Sequence, residues 1–442
     1  MSIPPQYSGK LLLKAEIPPE HLNKYFTPVP SIEKRFLRRR CKRCGNTASY
    51  KFSHMPHAAC GKECLYCRNC IQMGRVLECE PLYQATSNHT WPQILNPCAW
   101  EGELTPAQQK AAARIIETIQ SGGQLLVWAV CGAGKTEMLF PGVTAALEQG
   151  KRLCLATPRT DVVRELEPRL KAAFPDVPID ALYGDSPDKT GAAQFVIATT
   201  HQLLRFEEAF DVMIIDEVDA FPYHLDASLH FASRRAGKAN GSVIQLTATP
   251  RKRQERKVKA KQLPVVFIPK RFHGAPLPVP QFKLSPLLKR KLANGELSAT
   301  AITRITKQQQ GPRQLLLFAP TIPAAESVAK RLAGEGYSTE YVHADDPDRS
   351  EKITAFRNKN FRILVTTTIL ERGVTFPSVD VFVLDASHHV FDAQALVQIS
   401  GRAGRSPADP TGEVIFFHIG KSNAMLDARD AIVKMNKLGA KL

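Results

Sequence analysis

At 442 residues, 43% of them hydrophobic and 23% charged, the chain has room for two or three domains, each with its own core, and the composition of a globular protein. No apolar run approaches the roughly 18 residues that a bilayer span needs. The opening MSIPPQYSGKLLLKAE has no long apolar core and no small-residue cleavage site, which predicts a cytoplasmic protein. Fifty-nine Lys and Arg against 42 Asp and Glu leave a net charge of +17, and such an excess predicts a polyanionic partner such as nucleic acid.

That charge is local. Residues 31–43 hold seven Lys or Arg against Glu33 alone, and residues 251–291 hold thirteen against Glu255 alone. Residues 1–98 are rich in Cys, Pro and basic residues and lack long periodic apolar runs, as in a small module that a metal holds together. Seven of the ten cysteines fall between Cys41 and Cys79. In a reducing compartment they read as metal ligands or buried thiols rather than disulfides. Zinc takes four soft ligands at tetrahedral corners, and two CxxC knuckles supply them. Cys41-Lys42-Arg43-Cys44-Gly45 is one knuckle. For the second, Cys64/Cys67 and Cys67/Cys70 both fit, and Cys67/Cys70 is preferred because CRNC repeats the basic character of CKRC. Cys60 and Cys64 stay open as an alternative ligand pair or part of a second, incomplete site. Cys131 and Cys154 are read as packing residues.

From about residue 104 short apolar runs alternate with helical patterns. QLLVWAV, RLCLATP, QFVIATT, DVMIIDE and SVIQLTATP read as buried parallel strands, with TEMLFPGVTAALEQG and TDVVRELEPRLKAAF as crossover helices. The basic, proline-rich stretch 251–291 interrupts this pattern. A second series follows with QLLLFAP, STEYVHA, FRILVTT, VDVFVLDA and GEVIFFHIG. The expected class is α/β, with two parallel-sheet lobes behind a Cys-rich head: a zinc module over 1–98, a first lobe over 99–280 and a second over 281–442.

QLLVWAVCGAGKTEM predicts a strand, a Gly-rich turn and a helix opening at Gly134-Lys135-Thr136. The amides of Gly132, Ala133 and Gly134 would cradle phosphates, Lys135 would reach the β/γ oxygens, and the Thr136 hydroxyl would ligate Mg2+. Ala129 stands where the strict phosphate-loop pattern has its first glycine. DVMIIDEVD ends an apolar run on Asp216 and Glu217; the first suits Mg2+ binding and the second suits accepting a proton from an attacking water. In QISGRAGRS, which opens at Gln398, Arg402 and Arg405 sit three apart on a Gly-broken turn. Always-protonated donors of this kind suit the charge of a γ-phosphoryl transition state.

In order and spacing, LTPAQQ, AVCGAGKT, ATPR, TTHQ, DEVD, TATP, VTTTILERGVT and QISGRAGR resemble the motifs of superfamily 2 helicases and translocases, over about residues 100–442. The resemblance implies two RecA-like lobes, ATP bound between them and single-stranded nucleic acid lying across both. Together with CKRCG, LYCRNC and IQMGRV, the chain resembles the ComFA family of competence ATPases from Gram-positive bacteria. That likeness implies ATP-driven work on single-stranded DNA entering through a competence uptake channel, beside a phosphoribosyltransferase-like partner at the inner face of the membrane. It also favours Cys67/Cys70, since the family pattern ends LYCR-x-C. By the same likeness Gln108 reads the adenine edge and Trp100 stacks on the base. Thr157, Arg159, Thr200, His201, Thr366 and Thr367 contact DNA phosphates, and Thr247 and Thr249 couple hydrolysis to lobe movement. A duplex-unwinding DNA or RNA helicase is an alternative of the same class. A zinc-dependent nucleic-acid-binding scaffold with an idle ATP site is one of another class.

Overall fold

The computed structural model describes residues 3–36, 38–86, 88–187, 190–371 and 376–441. Residues 372–375, the RGVT end of VTTTILERGVT, lie outside the described residues. Among the described residues, no helix is long and apolar enough to cross a membrane. The chain divides into two compact units, one of residues 1–127 and 136–266, the other of residues 128–135 and 267–442.

The first unit is built on a seven-stranded sheet with the order Ile179–Leu182, Phe195–Thr199, Leu153–Thr157, Phe210–Ile215, Gly237–Thr247, Gly123–Ala129, Val265–Ile268. The pairs from Ile179–Leu182 through Gly237–Thr247 are parallel. Leu153–Thr157 and Phe195–Thr199 are buried at every position, as the unbroken apolar runs require of strands covered on both faces. Register places the polar residues at the strand ends. Thr157 pairs with Thr199, Ala156 with Ile215, and Ile215 with Gln245, so Thr157, Thr200, Asp216 and Thr247 leave the sheet along one C-terminal edge. Ligands bind at that edge in open α/β sheets.

The second unit has a six-stranded sheet ordered Gln281–Leu284, Val414–His418, Val379–Val383, Gln314–Phe318, Ile363–Thr366, Thr339–Val342, with every pair parallel. The interval 251–291 is not the interruption that its composition suggests. It holds a helix at Lys252–Lys259 and contributes Val265–Ile268 to one sheet and Gln281–Leu284 to the other. Four-residue strands at sheet edges carry too little periodicity to show in a proline-rich text.

The Cys-rich residues form three small antiparallel sheets, among them the hairpin Phe52–His57/Lys62–Cys67 joined by Val76–Leu77. They do not stand apart from the first lobe. Cys41, Cys44, Cys67 and Cys70 belong to one continuous core with Leu203, Phe206, Phe210 and Ala232. Arg235, at the end of the helix Ala227–Ala236, fastens the two together. Its guanidinium donates to the carbonyls of Lys42 (2.9 Å) and Arg43 on the first knuckle, and of Leu204 (2.7 Å) and Phe206 (3.1 Å) in the lobe. Burial lowers its pKa to about 10 and leaves it charged. Arg235→Met leaves these carbonyls without their donor and should lower the unfolding free energy by about 3 kcal/mol, read as a drop in urea midpoint at constant slope.

Candidate nucleotide, zinc and nucleic-acid sites

The strand Gly123–Ala129 runs into a turn in which Gly132 (φ 77°) and Gly134 (φ 67°) take left-handed backbone, a conformation that glycine enters without steric cost. Ala129 at the departed glycine position is fully buried in the strand, so no special backbone is asked of it. The helix begins later than the spacing predicts: a 3-10 turn spans Glu137–Leu139 and the α-helix spans Phe140–Glu148. Pro141 sets this start, because its missing N–H is tolerated in a first turn and not deeper. The loop's two left-handed glycines and the lysine at position 135 still suit a triphosphate.

Asp216 and Glu217 leave the strand Phe210–Ile215 half-exposed. The Asp216 N–H donates to the Ala156 carbonyl (2.8 Å), and Asp216 Oδ1 accepts the Glu217 N–H (2.8 Å). Glu217 has φ 53°, uncommon for a residue with a side chain and of the kind that gathers at functional sites. Two residues on, Asp219 is buried and binds both threonines of TATP: Thr247 Oγ1 donates to Oδ1 and Thr249 Oγ1 to Oδ2, each at 2.6 Å. Arg251 Nη2 donates to its carbonyl at 3.0 Å. Sequence reasoning marks the threonines and passes over Asp219, although the final carboxylate of DEVD is the available signal.

In the second unit, Gln398 is buried and accepts a hydrogen bond from Cys131 Sγ of the phosphate loop (3.0 Å). A Cβ on Gly401 would stand 2.5 Å from Cys131 Cβ, so this contact needs glycine. Cys131 is thus more than packing. Arg402 is buried, and its Nε donates to the Glu371 carbonyl (3.0 Å). Arg405 is partly exposed, and its side chain comes to the position of Gly132. Arg271, which the sequence shows only as part of a basic stretch, is buried and donates to the carbonyls of Gly401 (3.4 Å) and Gly404. Burial lowers its pKa to about 10. It holds the SGRAGR turn and faces no solvent.

The two knuckles converge. Cys41, Cys44, Cys67 and Cys70 are buried, with Cys41 and Cys70 sulfurs 3.8 Å apart and those of Cys44 and Cys67 3.5 Å apart. Tetrahedral zinc with bonds of about 2.3 Å places its sulfurs about 3.8 Å apart, so the set fits. Gly45 (φ 71°) closes the first knuckle, and a Cβ there would meet the Phe231 ring at 2.5 Å. Hydrogen bonding among the four thiols drives Cys41 and Cys67 toward thiolate, and Cys44 and Cys70 away from it. Arg235, whose own charge Cys41 supports, would offset the negative charge of four thiolates around a zinc ion. Cys154 is an inert core thiol, its pKa pushed up to about 12 by burial.

The other expected contacts divide. Gln108 closes a capping box at the start of the helix Pro106–Ser121, its Oε1 accepting from the Thr105 N–H (2.8 Å). Trp100 meets Phe140 edge to face at 5.4 Å. The hydroxyls of Thr157 and Thr200 are buried without a hydrogen-bond partner among the described residues, whereas Arg159 and His201 beside them are partly exposed. Thr366 Oγ1 donates to the Val342 carbonyl at 3.1 Å and is buried, and Thr367 is partly exposed. On Lys252–Lys259 and just after it, Lys252, Arg253, Arg256, Lys257, Lys259 and Lys261 are exposed.

Residues 3–84 match the family profile described as competence protein ComFA N-terminal domain, and residues 298–407 that of the helicase conserved C-terminal domain. Residues 101–252 match the type III restriction enzyme res subunit. The chain is 48% identical over 422 residues to the competence protein ComFA of Bacillus subtilis strain 168, covering 95% of this chain and 90% of that one. It is 38% identical to the ComFA of Streptococcus pneumoniae strain R6, covering 99% of each. The chain belongs to the ComFA family. Its helicase lobes make this family member an ATP-hydrolysing helicase or translocase that binds nucleic acid. A solved structure of yeast Dbp5 bound to RNA and ADP BeF3 shares the fold, with a TM-score of 0.56 and 16% identity over 75% of this chain and 91% of that one.

Thr247→Val removes one of the two hydroxyls that Asp219 holds and leaves a buried carboxylate oxygen short of a donor. It should lower stability by about 1–3 kcal/mol, and a smaller loss for Thr247→Ser in the same denaturation series would show the hydroxyl as the cause.

Proposed function

We propose that this ComFA-family protein is an ATP-dependent single-stranded DNA translocase that works in the cytoplasm on transforming DNA during natural competence. The observation that carries the reading is the row of exposed cations on Lys252–Lys259, which directly follows the Thr247–Thr249–Asp219 linkage in a chain of this family. Such a row suits phosphate contacts that are indifferent to base sequence. The chain divides, on this reading, into a zinc module over 1–98 and lobes over 99–280 and 281–442. Its partners would be the competence uptake channel and a phosphoribosyltransferase-like protein, which would bring it to the inner face of the membrane.

In this proposal the amides of Gly132, Ala133 and Gly134 hold the phosphates of ATP, and Lys135 neutralises the β/γ oxygens. Thr136 and Asp216 hold Mg2+, which supplies charge neutralisation on the phosphates. Glu217 accepts the proton of the attacking water. Arg405 meets the charge developing on the γ-phosphoryl group, with Arg402 and Gln398 fixing the turn that presents it. Gln108 reads the base from its capping box and Trp100 lies against it. Cys41, Cys44, Cys67 and Cys70 hold Zn2+.

Turnover measured with single-stranded DNA, single-stranded RNA and no polymer tests the reading. Stimulation by DNA above RNA is expected; equal stimulation favours a general helicase, and none favours a scaffold. Lys135→Ala should abolish turnover with the fold intact. Glu217→Gln should bind ATP and leave it unhydrolysed, and normal turnover would remove Glu217 from its role.

Neutralising four of the six exposed cations from Lys252 to Lys261 should weaken DNA binding and lower the slope of log K against log salt by up to about 3, at ~0.7 per single-strand phosphate. Arg251 is left out of that set because it is bound to the Asp219 carbonyl. An unchanged slope and affinity would assign the helix to solvent.

A further inference from the structure

The cysteines that the first cluster leaves over do not scatter. His57, Cys60, Cys64 and Cys79 bring one ligand atom each to within 4.8 Å of one another. The first strand of the hairpin Phe52–His57/Lys62–Cys67 supplies His57 at its end, the turn supplies Cys60, the second strand supplies Cys64, and Cys79 lies just beyond Val76–Leu77, which pairs with that same strand. Gly61 (φ 66°) lets the turn close, its N–H donating to the His57 carbonyl at 2.9 Å. Side chains alternate along a strand, so Cys64 and Cys67, three apart, point to opposite faces. The hairpin thereby serves two separate clusters, and Cys60 and Cys64 are not substitutes for Cys67 and Cys70.

We propose that His57, Cys60, Cys64 and Cys79 form a second zinc site, distinct from the four-cysteine cluster. The Cys60 sulfur lies 3.2 Å from that of Cys64, and His57 Nδ1 lies 3.4 Å from the Cys60 sulfur and 3.5 Å from the Cys79 sulfur. The other ring nitrogen, Nε2, lies 3.3 Å from Glu80 Oε1. A carboxylate on the far nitrogen fixes the tautomer and aims the near one, as it does for histidines that ligate metals. Three sulfurs and one imidazole nitrogen are a familiar structural zinc set.

Cys64 and Cys79 are joined as a disulfide in this structure, contrary to the expectation that all ten cysteines stay reduced. A disulfide employs two of the four groups. It gives no reason for a third thiol and an anchored imidazole to close on the same pair, whereas a metal employs all four. Reduction by a dithiol returns two thiols and leaves the reductant as its own disulfide. Zn2+ then displaces three thiol protons to the buffer and takes the neutral imidazole. The site would seal an exposed hairpin end by cross-linking it to the chain beyond Val76–Leu77.

The test is metal content of the full-length protein purified with a dithiol reductant. About two zinc ions per chain are expected, and about one in a Cys60→Ser/Cys79→Ser variant, with ATP turnover retained. His57→Ala should weaken the second ion against a competing chelator. Cobalt replacement separates the sites in protein that need not lose either. The spectrum of cobalt on three thiolates and one imidazole should add to that of cobalt on four thiolates, and should vanish in the double variant. One metal per reduced wild-type chain, or two that survive Cys60→Ser/Cys79→Ser, would overturn the proposal. A missing four-thiolate signal beside a persistent imidazole-containing one would instead count against the four-cysteine cluster.

Discussion

Parallel pairing sends every described strand of the first sheet's centre out at one edge, and the register Thr157–Thr199, Ala156–Ile215 and Ile215–Gln245 fixes which residues arrive there together. A one-residue slip would reverse the faces of a strand and pull Asp216 out of line with Thr157 and Thr247. The polar residues at this edge therefore depend on the strands that carry them there. Their buried Val, Ile, Leu and Ala side chains set the register, and the polar residues at and just beyond the strand ends inherit their positions from it. Asp219 then converts proximity into connection, because a single carboxylate bonded to two threonines cannot move without both.

Lobe architecture and phosphate loop were legible in the sequence because buried strands and glycine turns leave local signals: unbroken apolar runs, and GAGKT at the end of one. What escaped was set by partners distant in the chain. Arg271 looks like any cation in a basic stretch, and only its bonds to Gly401 and Gly404 separate it from Lys252 or Arg256. Arg235 gave no signal, since its four carbonyl partners lie in two distant segments. The late start of the helix after Thr136 was readable from Pro141, but the glycine turn dominated the pattern. His57 and Cys79 could not be grouped from spacing, because the hairpin register that joins them to Cys60 and Cys64 depends on Val76–Leu77 pairing back on its strand.

Electrostatics divides the basic residues by role. Arg271 and the partly buried Arg235 are each lowered to about 10 by desolvation and remain cations that hold carbonyls. The cations of Lys252–Lys259 lie instead at the exposed surface. The net charge of the whole chain conceals this division.

The continuous core shared by the knuckles and the first lobe has a consequence for biosynthesis. The ribosome releases Cys41 and Cys44 well over a hundred residues before Leu203 and Phe206, with which they share a core, and before Arg235, which holds the carbonyls of Lys42 and Arg43 between them. A nascent head has its ligands early and its packing surface late. Domains that are complete in themselves fold as they emerge; this head shares its core with residues made later, so its packing is complete only once that part of the lobe has been synthesised.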